Sequence, residues 1–355
     1  MISQAEETRP ILKKGHHLLI KIVSIAGIIL GANSIYLAHS EAQRVSLPGK
    51  KKILKITLKN LFPPYLNYDY FRNSKRYGFR YNATSFNLIN AWWLAEASSL
   101  VYANDEFVRS RFRKAGLPEV KLFKNQSTQC FVANNDKFAI VAFRGTEIWH
   151  NKERYDRKNI IADLKTDVDI LLTNWPKGGK VHRGFKEALE EVWSNLFPYI
   201  RKLRDKGCKI WITGHSLGAA LATLSADLYG SAQGVYTFGS PRVGNKAFKE
   251  NFKVKIYRIV NNHDIVARVP PPGKYVHVGE LKFIDSNGII RETVIKNNGT
   301  VDQLRDESDE SENFNPTKKK PFAGFVPAPI RDHVPLLYAI HIWNNMIENR
   351  QHDPK

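Results

Sequence analysis

Cysteine is nearly missing from this chain, and the two that occur, Cys130 and Cys208, exclude both a disulfide framework and a cysteine metal cluster. They read as two free thiols, although an exported protein would permit a bridge between them. Acidic residues are equally sparse over one long stretch. From Gln43 to Arg80 the only acid is Asp69, set against Arg44, Lys50, Lys51, Lys52, Lys55, Lys59, Arg72, Lys75, Arg76 and Arg80. No zinc finger, helix-turn-helix or RNP signature accompanies this charge, so no nucleic-acid partner is expected. The choice left open is between a solvated basic face and an anionic membrane surface. The one acidic run, Asp302 to Glu312, lacks the spacing and the glycine of an EF-hand. With Lys318 to Lys320 it reads as a charged loop over 300–320, not as a calcium site. No cofactor or metal is called for. Internal repeats are absent, and there is no clear linker after residue 42.

What is present begins with length: 355 residues, 43% hydrophobic, at a formal net charge of +20. Residues 1–42 resemble an export signal. Lys13 and Lys14 precede an apolar core, Ile22 to Leu30, and small residues at Ala38-His39-Ser40 and Ser40-Glu41-Ala42 offer cleavage sites. The uninterrupted stretch from Ile22 to Ala38 is short for a spanning helix and includes Asn33 and Ser34, so the reading is a cleaved signal, with a retained anchor as the alternative. The protein is therefore expected to be secreted or attached to the cell envelope, with residues 43–355 as a single domain.

Gln129 to Ala133 and Phe138 to Phe143 read as paired strands around Asn134-Asn135-Asp136. Thr84 or Ser85 is positioned to cap a helix carrying Leu88, Trp92, Trp93 and Leu100. Phe185 to Leu203 follow helical spacing up to Gly207, with Pro198 expected to kink the helix. Ile210 to Ile212, Val235 to Phe238 and Ile256 to Val260 are short apolar runs separated by helical segments. This alternation predicts an α/β fold: a mostly parallel central sheet covered by helices on both faces. Tyr275 to Val278, Leu281 to Ile284 and Ile289 to Val294 predict an antiparallel extension at one edge. A last helix is expected from near Asp332.

The organising stretch is Ile210 to Ala220, a strand that turns through Gly214-His215-Ser216-Leu217-Gly218 into a helix of small residues. A serine hydroxyl is a poor nucleophile until a base takes its proton and donors receive the oxyanion. The G-x-S-x-G spacing meets both needs, because the glycines allow a sharp strand-to-helix turn that exposes Ser216 and directs the Leu217 amide at the oxyanion. An acid and a histidine should follow in the chain. Asp264, just beyond Ile256 to Val260, is the first choice of acid; Asp285 is the rival, in a Ser-Asn-Gly context that suits a hairpin turn. Of the later histidines, His277 lies inside an alternating run and His352 in the tail. His333, at the start of the last helix, is favoured over the deeper His341. His215 and His263 flank the site as supporting groups.

Together these motifs resemble the class 3, or fungal-type, lipase family of α/β hydrolases. The resemblance runs from about Phe86 to Trp343. It rests on Phe143-Arg144-Gly145-Thr146, Ile161-Ala162-Asp163-Leu164, Val181-His182-Arg183-Gly184-Phe185, the elbow, Thr237 to Gly244, Asn262-His263-Asp264-Ile265-Val266, and Asp332-His333 followed by Tyr338. It implies that Ser216 attacks an ester carbonyl, His333 shuttles the proton and Asp264 orients His333. It implies further that the Thr146 and Leu217 amides form the oxyanion hole, with the Thr146 hydroxyl in support. Residues 147–159 correspond to the lid; here they carry many charges beside Ile148 and Trp149. Asp163 and Asp167 match acidic positions and, at helical spacing, read as structural. The implied activity is cofactor-independent: a serine carboxylester hydrolase cleaving acyl esters of acylglycerols or phospholipids through an acyl-enzyme. A soluble-ester or thioester hydrolase on the same fold is the nearest alternative. A membrane-surface binding protein with an unused hydrolase fold is another.

Overall fold

Strands whose side chains are apolar on both faces must be covered on both faces, and this dictates the architecture. In the computed structural model, residues 48–145, 171–292 and 326–351 are described. The expected signal segment at 1–42, Thr146, the lid at 147–159, Asp163, Asp167, the charged loop at 300–320 and His352 lie outside them.

The elements run α1 (Leu88–Leu100), α2 (Asp105–Lys114), β1 (Glu119–Asn125), β2 (Thr128–Asn134), β3 (Phe138–Phe143), β4 (Leu172–Asn174), β5 (Lys180–His182) and α3 (Arg183–Asp205). They continue through β6 (Lys209–His215), α4 (Leu217–Tyr229), β7 (Gly234–Phe238), α5 (Lys246–Asn251), β8 (Ile256–Asn261), a 3-10 turn (Val266–Arg268), β9 (Glu280–Ile284), β10 (Ile290–Glu292), α6 (Ala328–Arg331) and α7 (Pro335–Gln351). Eight strands form one sheet in the order β1-β2-β3-β6-β7-β8-β9-β10, and β4 pairs with β5 separately. From β3 through β6, β7 and β8 to β9 every pairing is parallel, whereas β1-β2, β2-β3 and β9-β10 are antiparallel.

Residue alternation along each strand builds two cores. Phe131, Phe138, Ile140, Trp211, Tyr236, Tyr257 and Ile259 face α1 and α7, where Trp92, Trp93 and Trp343 make an aromatic layer. Cys130, Val141, Ile210, Ile212, Val235 and Ile256 face α3 and α4, whose contributions are aliphatic, among them Leu189, Val192, Leu196, Leu221 and Leu224. In α3 the buried positions Phe185, Leu189, Val192, Leu196, Ile200 and Leu203 form one stripe, and the helix continues past Pro198 to Asp205.

Several expectations are corrected. Helix α1 is capped by Asn87, not Thr84 or Ser85: the Asn87 side chain accepts from the Ile89 and Asn90 amides at 3.0 and 3.2 Å. β9 joins β8 in parallel, because the connection from Asn262 to Gly279 is long enough for a crossover; only β10 adds antiparallel to the edge. Tyr275 to Val278 holds two isolated bridges, Tyr275 to Pro272 and Val276 to Gly244, and no strand. The last long helix begins at Pro335, whose fixed φ suits a first helical position, after the short α6. β1 and α2 go unread in the sequence. β1 is a lysine-bearing edge strand with only Val120 and Phe123 buried, and α2 buries only Val108 and Phe112.

Candidate active site

The parallel strands β6, β7 and β8 end on one side of the sheet, and the chain leaves each through a tight turn. Ser216 follows β6 directly and precedes α4, at φ 61° and ψ −130°. Positive φ is costly for a residue with a Cβ, and persists here because the surrounding backbone leaves no alternative. At Gly214 an added Cβ would overlap the Gly218 carbonyl, and at Gly218 it would overlap the Phe143 carbonyl. Strand, turn and helix therefore touch through backbone, and the Ser216 amide is held by the Phe238 carbonyl at 3.1 Å. The Leu217 amide is the first of α4, one of the four N–H groups that a helix leaves without an intrahelical acceptor.

Beyond β8 the chain turns through Asn261 to Asp264. The Asp264 side chain is wholly buried. Its carboxylate accepts from the Val266 amide at 2.8 Å, from His333 Nδ1 at 2.9 and 3.0 Å, and from the Tyr338 hydroxyl at 2.5 Å. Burial alone would raise its pKa; the nearby His333 and the bonds from His333 and Tyr338 outweigh burial and lower it to about 2. Asp264 is thus a carboxylate at any ordinary pH. With Nδ1–H directed at that carboxylate, the imidazole presents the lone pair of Nε2 to the Ser216 hydroxyl, 3.0 Å away. The structure brings Ser216, His333 and Asp264 into one hydrogen-bonded chain. Chemically, such a chain can move a proton off a hydroxyl and hold the resulting imidazolium against a buried negative charge.

A supporting layer fixes these groups. Tyr338 also accepts the Asn261 amide at 3.0 Å, joining α7 to the end of β8. Asp332 accepts from Asn262 Nδ2 and the His263 amide, both at 3.2 Å, while Asn261 Nδ2 donates to the Asp332 carbonyl at 2.9 Å. The acid-bearing and histidine-bearing turns are therefore laced together. Gly239, at φ +56°, passes so near that a Cβ would collide with Asp264 and His333. His215 donates from Nε2 to the His333 carbonyl at 2.8 Å, which leaves Nδ1 to accept from the Tyr102 hydroxyl at 3.0 Å. Burial, then the charge at His333, pushes the His215 pKa well below its ordinary value, so it stays neutral. Sequence reasoning missed Tyr102 altogether; nothing local marks a tyrosine 113 residues before its partner.

The other candidates lie elsewhere. Asp285 accepts the Asn287 and Ile289 amides and Arg291 Nε, which makes it the turn residue of the β9-β10 hairpin. His341 sits on α7 against Gly288, and His277 Nε2 donates to the Ala267 carbonyl at 2.8 Å. His263 faces Arg268 at 3.4 Å. Thr146 lies outside the described residues, although Gly145, its predecessor, runs beside Gly218. Cys130 and Cys208 are both buried and free. Among the described residues no group of His, Cys, Asp and Glu could hold a metal ion, and no helix is long and apolar enough to cross a membrane.

Parts of this chain are similar to known proteins. The family model described as Lipase (class 3) matches residues 140–274. A lipase of Rhizomucor miehei is 33% identical over 192 residues, 48% of this chain and 50% of that protein. A secreted mono- and diacylglycerol lipase of Fusarium solani is 36% identical over 135 residues, 32% of this chain and 40% of that protein. A solved structure of the Rhizomucor miehei triacylglyceride lipase is 31% identical, covering 49% of this chain and 69% of its own, with a TM-score of 0.40. The chain spans about half or less of the length of these curated relatives. By these matches the segment 140–274, which contains the Ser216 elbow, is similar to the class 3 lipases.

Proposed function

We propose that this protein is a serine carboxylester hydrolase of lipase type, cleaving acyl esters of acylglycerols or phospholipids through an acyl-enzyme. The observation that carries this reading is the unbroken contact from Ser216 Oγ through His333 to the buried Asp264 carboxylate. Ser216 attacks the ester carbonyl as His333 Nε2 takes its proton, and Asp264 stabilises the imidazolium. The oxyanion is received by the Leu217 amide and by the amide and hydroxyl of Thr146. His333 then gives its proton to the departing alkoxide, which leaves the acyl group on Ser216. A water deprotonated by His333 attacks that ester and releases the fatty acid.

Residues 147–159 are the proposed lid, and 43–355 the catalytic domain. The matched relatives include a protein named as secreted, which supports export directed by residues 1–42. Acylglycerol esters are favoured by the names of the relatives, phospholipids by the net charge of +20.

The test is a hydrolysis panel that crosses head group with acyl length, run beside Ser216→Ala. Release of long-chain fatty acid from acylglycerol or phospholipid, abolished by Ser216→Ala, is expected. Turnover confined to short monomeric esters or thioesters would contradict the lipase assignment.

A further inference from the structure

The strap that opens the described chain carries features that the proposed chemistry does not use. Residues 50–57 form neither helix nor strand, yet the strap is pinned at both ends. At one end the Lys51 amide donates to Asn344 Oδ1 at 2.7 Å, and Asn344 Nδ2 returns a bond to the Lys51 carbonyl at 2.9 Å. The Lys51 ammonium pairs with buried Glu96 at 3.2 Å and lies over the Tyr68 and Trp343 rings. At the other end Ile56 is buried in the aromatic core.

Pinning Lys51 and Ile56 turns what lies between them outward. Ile53 and Leu54 are 45% and 37% exposed, and Leu58, just past the second pin, is 50% exposed. Few large apolar side chains are so exposed among the described residues, and three of them fall in this short stretch. Lys52, Lys55 and Lys59, all exposed, interleave with them. No acid occurs from Ala42 to Tyr68. Aliphatic side chains held in water beside exposed ammonium groups fit one surface well. The lysines meet lipid phosphates, and the aliphatic groups enter the acyl boundary beneath them. A nucleic acid or acidic polymer would use the charge and leave Ile53, Leu54 and Leu58 in water.

Position gives the strap a role. Ile53 and Leu54 line a cavity of about 400 Å3 together with Asn261, Asn262 and Asp332. Asn261 ends β8, and Asp332 adjoins His333. The strap therefore lies at the same end of the sheet as Ser216, beside the turns that carry Asp264 and His333.

We propose that residues 52–59 are a docking surface for bilayers rich in anionic phospholipid, which holds the site's end of the sheet against the lipid. The proposal rests on the lipase reading for its purpose but not for its measurement. Full-length protein, with Ser216→Ala as background control, is floated with phosphatidylcholine vesicles with and without phosphatidylglycerol. Two variants are compared, Lys52→Glu/Lys55→Glu/Lys59→Glu and Ile53→Ser/Leu54→Ser. Hydrolysis of a monomeric short-chain ester, or thermal unfolding if no ester is cleaved, certifies each variant as folded. Expected are preference for the anionic vesicles, a loss of about fivefold in binding per lysine removed, and a loss of about tenfold or more for the aliphatic pair. Ser216→Ala should bind like the parent. Unchanged binding in either folded variant, or equal binding to both vesicle types, would overturn the proposal. Loss in the lysine variant alone would identify a polyanion site and overturn it too. Vesicle binding without ester hydrolysis would leave the docking surface standing and refute the lipase reading.

Discussion

Two aspartate–histidine neighbourhoods occur near the end of β8, and they differ in what satisfies each carboxylate. Asp264 is buried, and its strongest partners are side chains from far along the chain, His333 and Tyr338. Asp285 takes two amides and a guanidinium from within six residues of itself. Correspondingly, His333 reaches both Asp264 and Ser216, whereas His341 is held on α7 beside the Asp285 hairpin. Residue type does not separate the pairs. A carboxylate consumed by its own turn organises only that turn; one left to distant partners can order an imidazole between two elements.

The largest expected break between the pairs is kinetic. His333→Ala should lower kcat/KM for an ester by about 10^5-fold, as one member of a group that acts as a unit. His341→Ala should leave it within about twofold, and a stopped assay of both against one substrate decides between them. Asp264→Asn should cost about 10^3-fold to 10^4-fold through the wrong imidazole tautomer, while Asp285→Asn should leave kcat unchanged.

Acid stability sharpens the contrast. The Asp264 pKa of about 2 lies below the ordinary 3.8. Its ionised form thus contributes stability above about pH 4, and that contribution is lost as pH falls through about 2. It amounts to about 2 kcal/mol. Denaturant titrations of Asp264→Asn should show a flatter slope between about pH 4 and pH 2 than the parent protein.

The smallest effect concerns Tyr338, whose hydroxyl donates to Asp264 and accepts the Asn261 amide. Tyr338→Phe should destabilise by about 1 kcal/mol, because a buried amide loses its acceptor. It should also raise the Asp264 pKa and shift the acid limb of the stability curve upward. Unchanged unfolding would show that neither bond contributes.

How much of this was legible in the sequence follows the same physics. The strands β2, β3, β6, β7 and β8 announce themselves because both faces are apolar, so their runs are continuous. β1 and α2 do not, because an edge strand and a surface helix bury only two side chains each. The sense of β9 was misread because its run of residues is compatible with either direction, and only the path from Asn262 to Gly279 decides. At the site, the strand-turn-helix around Ser216 was readable, since turn chemistry is local. The hairpin role of Asp285 was readable for the same reason. The Tyr102–His215 bond and the lacing of Asp332 to Asn262 were not, because they join residues distant in the chain and carry no pattern of their own.

The central claim is that Ser216 is activated by His333. Intact-mass spectrometry after treatment with a fluorophosphonate tests it most directly. A single adduct that maps to Ser216, absent from Ser216→Ala and formed far more slowly in His333→Ala, is the predicted result. No adduct on the parent protein, or equal labelling of Ser216→Ala, would contradict it.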